Sequence, residues 1–326
     1  MPLSEAQRAV RATGIGSSEI GAVAGLSPWA APIDVWCVKR GLAEVPETDA
    51  MRRGTALEPV VADLYAAEYL VQGERLYTPD CVWRDSTEGT LRHGAEPWIL
   101  ASPDRVVVRY DDHLHVVDRR LVEIKTASFR TAHHWGAGHD QVPPWYRAQI
   151  EWQMLVTGVR TCDLVVLFGV DDLRVHRIEA DDELAAQLVA IGRAFWRCVE
   201  RGEEPSVDGT ESYRSYLEQR FPRAWVPLEP APPEAEDVAR ELADARRELE
   251  AVEQRVARAE NQLLALLGER EGFVGRGWKA TWKAPAAGSV SWKAVAEALG
   301  AKDRKDLITA NTAAPSRRFR FTTKEE

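Results

Sequence analysis

The sequence predicts an α/β fold with a long helix appended to it, and three observations carry that prediction. Short strand-like apolar runs occur at residues 106–108, 121–125 and 164–170. Between them lie stretches of helical period at 54–70, after Pro143-Pro144, and at 181–201. From Glu234 onward, apolar residues recur at alternating four and three positions, the heptad spacing of a long amphipathic helix.

The totals narrow the class. At 326 residues the chain has room for one large domain or two. With 45% hydrophobic and 29% charged residues it has ordinary globular composition. No run of 18 apolar residues is present, so no membrane helix is expected. The N-terminus lacks a basic-then-apolar signal pattern. The four cysteines, Cys37, Cys81, Cys162 and Cys198, form no C-x-x-C pair, which predicts free thiols in a reducing, cytoplasmic compartment. A formal charge of −9 excludes a protein that coats nucleic acid without specificity. It leaves room for an enzyme that grips one DNA end.

In chain order, Ser17 or Ser18 reads as the N-cap of a short helix ending near Gly25. The loop Gly14–Gly16 before it offers backbone N–H groups, with Arg11 close upstream; this is either an anion site or a plain capped helix. A second helix is expected over 32–40, with Pro32 at its start and Gly41 past its end. In the helix over 54–70, Leu57, Val60, Val61, Leu64 and Tyr65 supply the apolar period. Glu58 is either a metal carboxylate or the end of a capping box begun by Thr55, which Pro59 blurs. Strands are expected at 75–77, 82–83 and 98–101, and Asp111-Asp112 marks a hairpin tip. His113 and His115 read as exposed strand residues, and His133, His134 and His139 as loop residues.

Residues 104–125 hold the chemistry. In a strand, alternate side chains share a face, so Glu123 and Lys125 point one way while Val122 and Ile124 point into a core. If Asp104 begins the neighbouring strand of a hairpin, its carboxylate lies beside that of Glu123. Two adjacent carboxylates repel, and a hard divalent cation between them removes the repulsion. A surface salt bridge is the plainer alternative. Further on, Gln149 and Gln153 stand four apart on one helical face, where two amides can orient a water or a phosphate oxygen if they face a site. Strands at 164–170 and 174–178 and a helix over 181–201 follow. Residues 205–233 read as a Pro-rich extended linker, 234–270 as the heptad helix, and 271–326 as a small α+β tail ending in a basic-aromatic stretch at 317–321.

Five motifs occur in order: R-x-x-x-I-x-S-S-E from Arg11, G-x-x-x-E over 54–58, S-P-D over 102–104, E-I-K over 123–125 and Y-x-A-Q over 146–149. Together they make residues 8 to about 200 resemble the YqaJ-like viral recombinase (phage lambda exonuclease) family of PD-(D/E)xK nucleases, with a nuclease domain over 1–204. The resemblance implies a restriction-endonuclease-like central mixed sheet flanked by helices. It implies Mg2+-dependent cleavage of DNA, with Mn2+ as the alternative ion. It also implies digestion of duplex ends from 5′ in a phage or prophage recombination system of a bacterial host cell, feeding a single-strand annealing protein. Carried over by position, Asp104, Glu123 and the Ile124 carbonyl would hold the metal, and Glu58 would complete a second position. Lys125 and Gln149 would align or activate the attacking water, and Arg11, Ser17 and Ser18 would grip the 5′-phosphate. The resemblance suggests a ring-shaped homo-oligomer, which a heptad helix would alter. Arg105 stands where the family has Gly, a departure expected to touch loop shape rather than chemistry. A structure-specific endonuclease, or a non-catalytic DNA-binding scaffold, is the alternative reading.

Overall fold

Alternation of apolar residues on both faces of a strand demands a layer on each side. In the computed structural model, the sequence meets that demand with a five-stranded sheet between helices. The structure describes residues 5–87, 89–136, 141–283, 291–300 and 304–310. The chain divides into two units, Met1–Leu217 and Glu218–Glu326.

The first unit opens with α1 (Glu5–Arg11), β1 (Ile15–Gly16), α2 (Ser17–Val23), α3 (Pro32–Lys39) and α4 (Asp49–Tyr69). Then come β2 (Glu74–Tyr77), α5 (Pro79–Val82), β3 (Leu91–Arg92), β4 (Ile99–Ala101), β5 (Arg105–Tyr110) and β6 (Val116–Ala127). A 3-10 turn, Phe129–His134, leads to α6 (Pro144–Thr157), β7 (Thr161–Phe168), β8 (Asp172–Glu179), α7 (Asp182–Arg201) and α8 (Glu211–Arg220).

The main sheet has the order β2-β5-β6-β7-β8. Only β6 and β7 run parallel, with α6 as the crossover between them, so the sheet is mixed, as expected. On one face, Val61, Ala62 and Tyr65 of α4 pack on Val107, Val122, Ile124 and Val165. On the other, Ile150 and Met154 of α6 pack on Val106, Leu121, Leu164 and Phe168. A third cluster joins the helices, with Ile20, Trp36, Trp152 and Phe195 at its centre. There β1 runs parallel to β4, and a Cβ on Gly14 would lie 2.2 Å from the Trp98 carbonyl oxygen, so the position requires glycine.

Several sequence expectations change. The N-cap of α2 is Gly16, not a serine, because Glu19 reaches back to accept the Gly16 N–H at 2.7 Å. Helix α4 starts five residues before Gly54, capped by the Thr48 hydroxyl, which accepts the Met51 N–H. Thr55 is therefore interior, and the Thr55–Glu58 capping box is ruled out. Leu57, Val60 and Leu64 face outward, at 38–52% exposure, while Val61 and Tyr65 carry the burial. Residues 82–83 are not a strand, since Pro79 opens a helical turn there. The stretch 205–233 is not wholly extended, since α8 forms within it and buries Tyr213, whose hydroxyl donates to the Pro205 carbonyl.

The second unit contains α9 (Pro233–Leu267), a hairpin of β9 (Gly272–Gly275) and β10 (Trp278–Thr281), and the short helices α10 (Trp292–Ala298) and α11 (Lys305–Ala310). The basic-aromatic stretch at 317–321 lies outside the described residues.

Candidate active site

Strand β5 begins at Arg105, opposite Val122, whereas β6 continues to Ala127 alongside β7. Beyond Val122 the near edge of β6 therefore has no strand partner, and Asp104 fills the notch. Its Oδ2 accepts the Ile124 N–H at 2.7 Å. A strand residue sends its N–H and carbonyl to the same side, so the Ile124 carbonyl leaves on the Asp104 side as well.

One residue earlier the side chain points to the opposite face, under α6. Glu123 is 2% exposed. Its Oε1 accepts from Lys125 Nζ at 2.6 Å and Gln149 Nε2 at 2.5 Å, and its Oε2 from Gln153 Nε2 at 2.7 Å. Strand spacing of two and helix spacing of four thus converge on one carboxylate. Lys125 also lies over the Tyr146 ring, 5.1 Å from its centroid. Gln153 approaches Ser17 Oγ at 3.5 Å, and its own Oε1 is buried without a hydrogen-bond partner.

The charges here do not balance. Desolvation first, and then the charge of Glu123, push the Asp104 carboxyl well above the usual carboxylate range, with Glu58 adding to the effect and Lys125 and the Ile124 N–H opposing it. Burial works against the charge on Lys125, but Glu123 and Asp104 more than offset it and hold the ammonium protonated above the ordinary lysine range. In this arrangement Lys125 is a proton-bearing cation rather than a free base. The donor set fits a hard divalent ion: two mutually repelling carboxylates and a backbone carbonyl, oxygen throughout. Among the described residues no group of three or more His, Cys, Asp and Glu side chains is disposed to hold a metal.

Glu58 lies on α4 and is engaged elsewhere. Arg105 Nη1 donates to Glu58 Oε1 at 2.7 Å and to the Asp104 carbonyl at 2.6 Å. The departure at Arg105 therefore touches two candidate site residues as well as the loop. Among the described residues, His115 pairs with Asp111, and His133 Nδ1 lies 2.9 Å from the Arg130 carbonyl. His139 is outside the described residues.

The residues expected to grip a phosphate lie beside this site. Arg11 Nη2 donates to Ser18 Oγ at 2.7 Å. Ser17 is buried and faces Gln153. The Gly16 N–H that the sequence offered to an anion is taken by Glu19, which Lys39 binds at 2.8 Å while also donating to the Arg11 carbonyl. Lys39 had no motif to mark it, Glu19 closed the motif that begins at Arg11 without a role assigned to it, and Gln153 stood out by its spacing of four from Gln149.

Comparison with known proteins finds relatives of the first part of the chain. Residues 8–160 match the model described as the YqaJ-like viral recombinase domain. The chain is 26% identical over 215 residues to the uncharacterized protein YqaJ of Bacillus subtilis (strain 168), covering 65% of this chain and spanning 61% of that relative's length. It is similar to a crystal structure of an alkaline exonuclease (LHK-Exo) from Laribacter hongkongensis, with 24% identity, coverage of 65% of this chain and 95% of that one, and a TM-score of 0.44. It is also similar to a phage related exonuclease from Haemophilus somnus 129PT, with 11% identity, coverage of 58% and 94%, and a TM-score of 0.36. The chain carries a YqaJ-like viral recombinase domain over residues 8–160.

Proposed function

We propose that this chain is a metal-dependent deoxyribonuclease that digests duplex DNA from its 5′ ends. The observation that carries the reading is the convergence of Asp104, Glu123 and Lys125 around a surplus of negative charge. Asp104, Glu123 and the Ile124 carbonyl would hold Mg2+, or Mn2+ in its place. A bound ion would supply positive charge opposite the phosphoryl oxygens. Lys125, protonated, donates a hydrogen bond that aligns the attacking water or a phosphate oxygen. Gln149 and Gln153 fix the Glu123 carboxylate so that its lone pairs stay aimed. Ser17 lies one hydrogen-bonded step away, through Gln153, and with its neighbour Ser18, which Arg11 binds, would hold the 5′-phosphate so that the first linkage meets the carboxylates. Glu58 would join a second metal position only on leaving Arg105. The partners that follow are DNA ends, a single-strand annealing protein and further copies of the chain. The setting is a phage or prophage recombination system in the bacterial cytoplasm.

The test uses purified protein with linear 5′-phosphorylated, linear 5′-hydroxyl and covalently closed circular duplex, each with Mg2+ and with chelator. Expected are Mg2+-dependent loss of linear DNA, a preference for the phosphorylated end, and intact circles. Cleavage of circles would instead identify an endonuclease, and no cleavage of any substrate a binding scaffold. Lys125→Ala should lower the rate at least about 100-fold, the scale of losing a transition-state donor; wild-type rates would reject the site. Arg11→Ala should abolish the preference for 5′-phosphate, and an unchanged preference would dismiss the grip.

A further inference from the structure

Helix α9 inverts the usual burial rule. Most of its heptad seam lies on the surface, with Val238 64%, Leu249 56%, Val252 43%, Val256 50% and Leu266 64% exposed and Leu242 and Leu263 half-buried. A seam sustained over about five heptads is the signature of a helix that winds on another. The seam itself says which helix.

In heptad terms, Leu242, Leu249, Val256 and Leu263 are a positions, and Val238, Ala245, Val252 and Ala259 are d positions. A parallel pair of identical helices stacks like on like. It would set Ala245 against Ala245 and Ala259 against Ala259, leaving two thin layers. Its flanks would join Glu241 to Arg246 and Arg255 to Glu260 but bring Glu248 of each chain against Glu253 of the other, a repulsion that the antiparallel register below does not have. An antiparallel pair stacks a on d. In one register the layers become Val238–Leu263, Leu242–Ala259, Ala245–Val256 and Leu249–Val252, so neither alanine meets another alanine. The same register places Glu248 beside Arg255 of the second copy and Arg246 beside Glu253, each twice by symmetry, with no like-charged pair along the flanks. Sliding by one heptad one way keeps Arg246 beside Glu260 but faces Glu253 with Glu253 and Arg255 with Arg255. Sliding the other way faces Arg246 with Arg246 and Glu248 with Glu248. The favoured register is also the one in which the helices overlap end to end, roughly 50 Å at 1.5 Å per residue.

We propose that α9 is a self-recognition element that pairs two copies of this chain as an antiparallel coiled coil, in the register that joins Glu248 to Arg255 and Arg246 to Glu253. Such a pair is a closed twofold contact, in which each chain presents the same patch. The proposal does not depend on the nuclease reading.

Sedimentation equilibrium of the full chain tests it. Leu249→Asp, which puts a charge in the seam, should halve the assembly mass; an unchanged mass, or a wild-type monomer, overturns the pairing. Orientation is read from charge reversals on the exposed flank, which leave folding alone. Glu248→Arg should weaken association about tenfold, because two attractive contacts become repulsive. Adding Arg255→Glu should restore it. In a parallel pair Glu248→Arg would instead turn the Glu248–Glu253 repulsion into attraction, so tighter association of that variant refutes the antiparallel assignment.

Discussion

Two carboxylates sit on neighbouring strands of one sheet, equally buried and oppositely treated. Asp163 on β7 pairs in register with Val122 and points toward α4, while Glu123, the next residue on β6, points toward α6. They are 1% and 2% exposed. Asp163 accepts from Tyr65 Oη at 2.6 Å, from Arg120 Nε at 2.6 Å and from Arg177 Nε at 2.9 Å, and Arg120 also holds Glu74 at 3.1 Å. Two carboxylates thus face two guanidinium groups. Around Glu123, two carboxylates, Asp104 and Glu123, face one ammonium, Lys125, and Arg105 is committed to Glu58. Burial alone would raise the Asp163 carboxyl. Hydrogen bonds from Arg177 and Tyr65 and the charge of Arg120 outweigh burial and hold it below its usual range. The Asp104 carboxyl moves the other way. A closed charge network is a structural clamp, and a network one cation short is a candidate binding site.

The largest expected effect comes from opening the closed network. Asp163→Ala leaves Arg120 buried beside Tyr65 with half its partners and should cost about 3–5 kcal/mol in urea unfolding. A loss below about 1 kcal/mol would mean the clamp is not one. The pH dependence follows the same network. Asp163 and Glu74 both have folded values below their unfolded ones, so the unfolded chain takes up the proton first. Their contribution is present above the unfolded carboxylate value near 4 and fades as pH falls below it. Asp163→Asn should therefore flatten the acid limb of a stability–pH curve, and an unchanged acid slope would assign that limb to other groups.

The open network was the more legible of the two in the sequence. Its members stand at spacings that local geometry interprets: two along a strand for Glu123 and Lys125, four along a helix for Gln149 and Gln153, and a hairpin that returns Asp104 to β6. The clamp was not legible, because Tyr65, Arg120 and Asp163 come from three distant elements and each alone reads as an ordinary polar residue. The same limit hid the Arg105–Glu58 pair, which joins β5 to α4 across 47 positions. Helix α4 began earlier than its apolar period because its start is set by the Thr48 cap, and in Asp49 to Arg53 only Ala50 and Met51 are apolar, too few to show a period.

Glu123→Gln sharpens the comparison at intermediate size. Gln149 and Gln153 bind different oxygens of Glu123, so the substitution leaves one amide without its acceptor; relief of the repulsion with Asp104 opposes that loss, and stability should fall by no more than about 1–2 kcal/mol. What the substitution removes is the response to the ion. Wild-type protein at 100 times its Kd for Mg2+ should gain about 2.7 kcal/mol, read as a rise in Tm. The variant should show almost none of that rise and should not cleave DNA. An equal rise in both proteins would move the cation elsewhere.

The smallest effect tests where the two designs meet, at Arg105. Its guanidinium neutralises Glu58 and lies against the Asp104 carbonyl, so it subtracts from the charge surplus that the candidate site offers a cation. Arg105→Gln releases Glu58 and should tighten Mg2+ binding about three- to tenfold, on the order of 1 kcal/mol for one unit charge at this separation. The ion concentration for half-maximal DNA cleavage, or for half-maximal thermal shift, reads it directly. Arg105→Lys keeps the charge and should stay near wild type, which separates charge from shape. The ion pair is partly exposed, so neither substitution should move stability by more than about 1 kcal/mol. If Arg105→Gln weakens Mg2+ binding instead, the guanidinium is positioning the Asp104 loop for the ion, and Glu58 contributes nothing to its field.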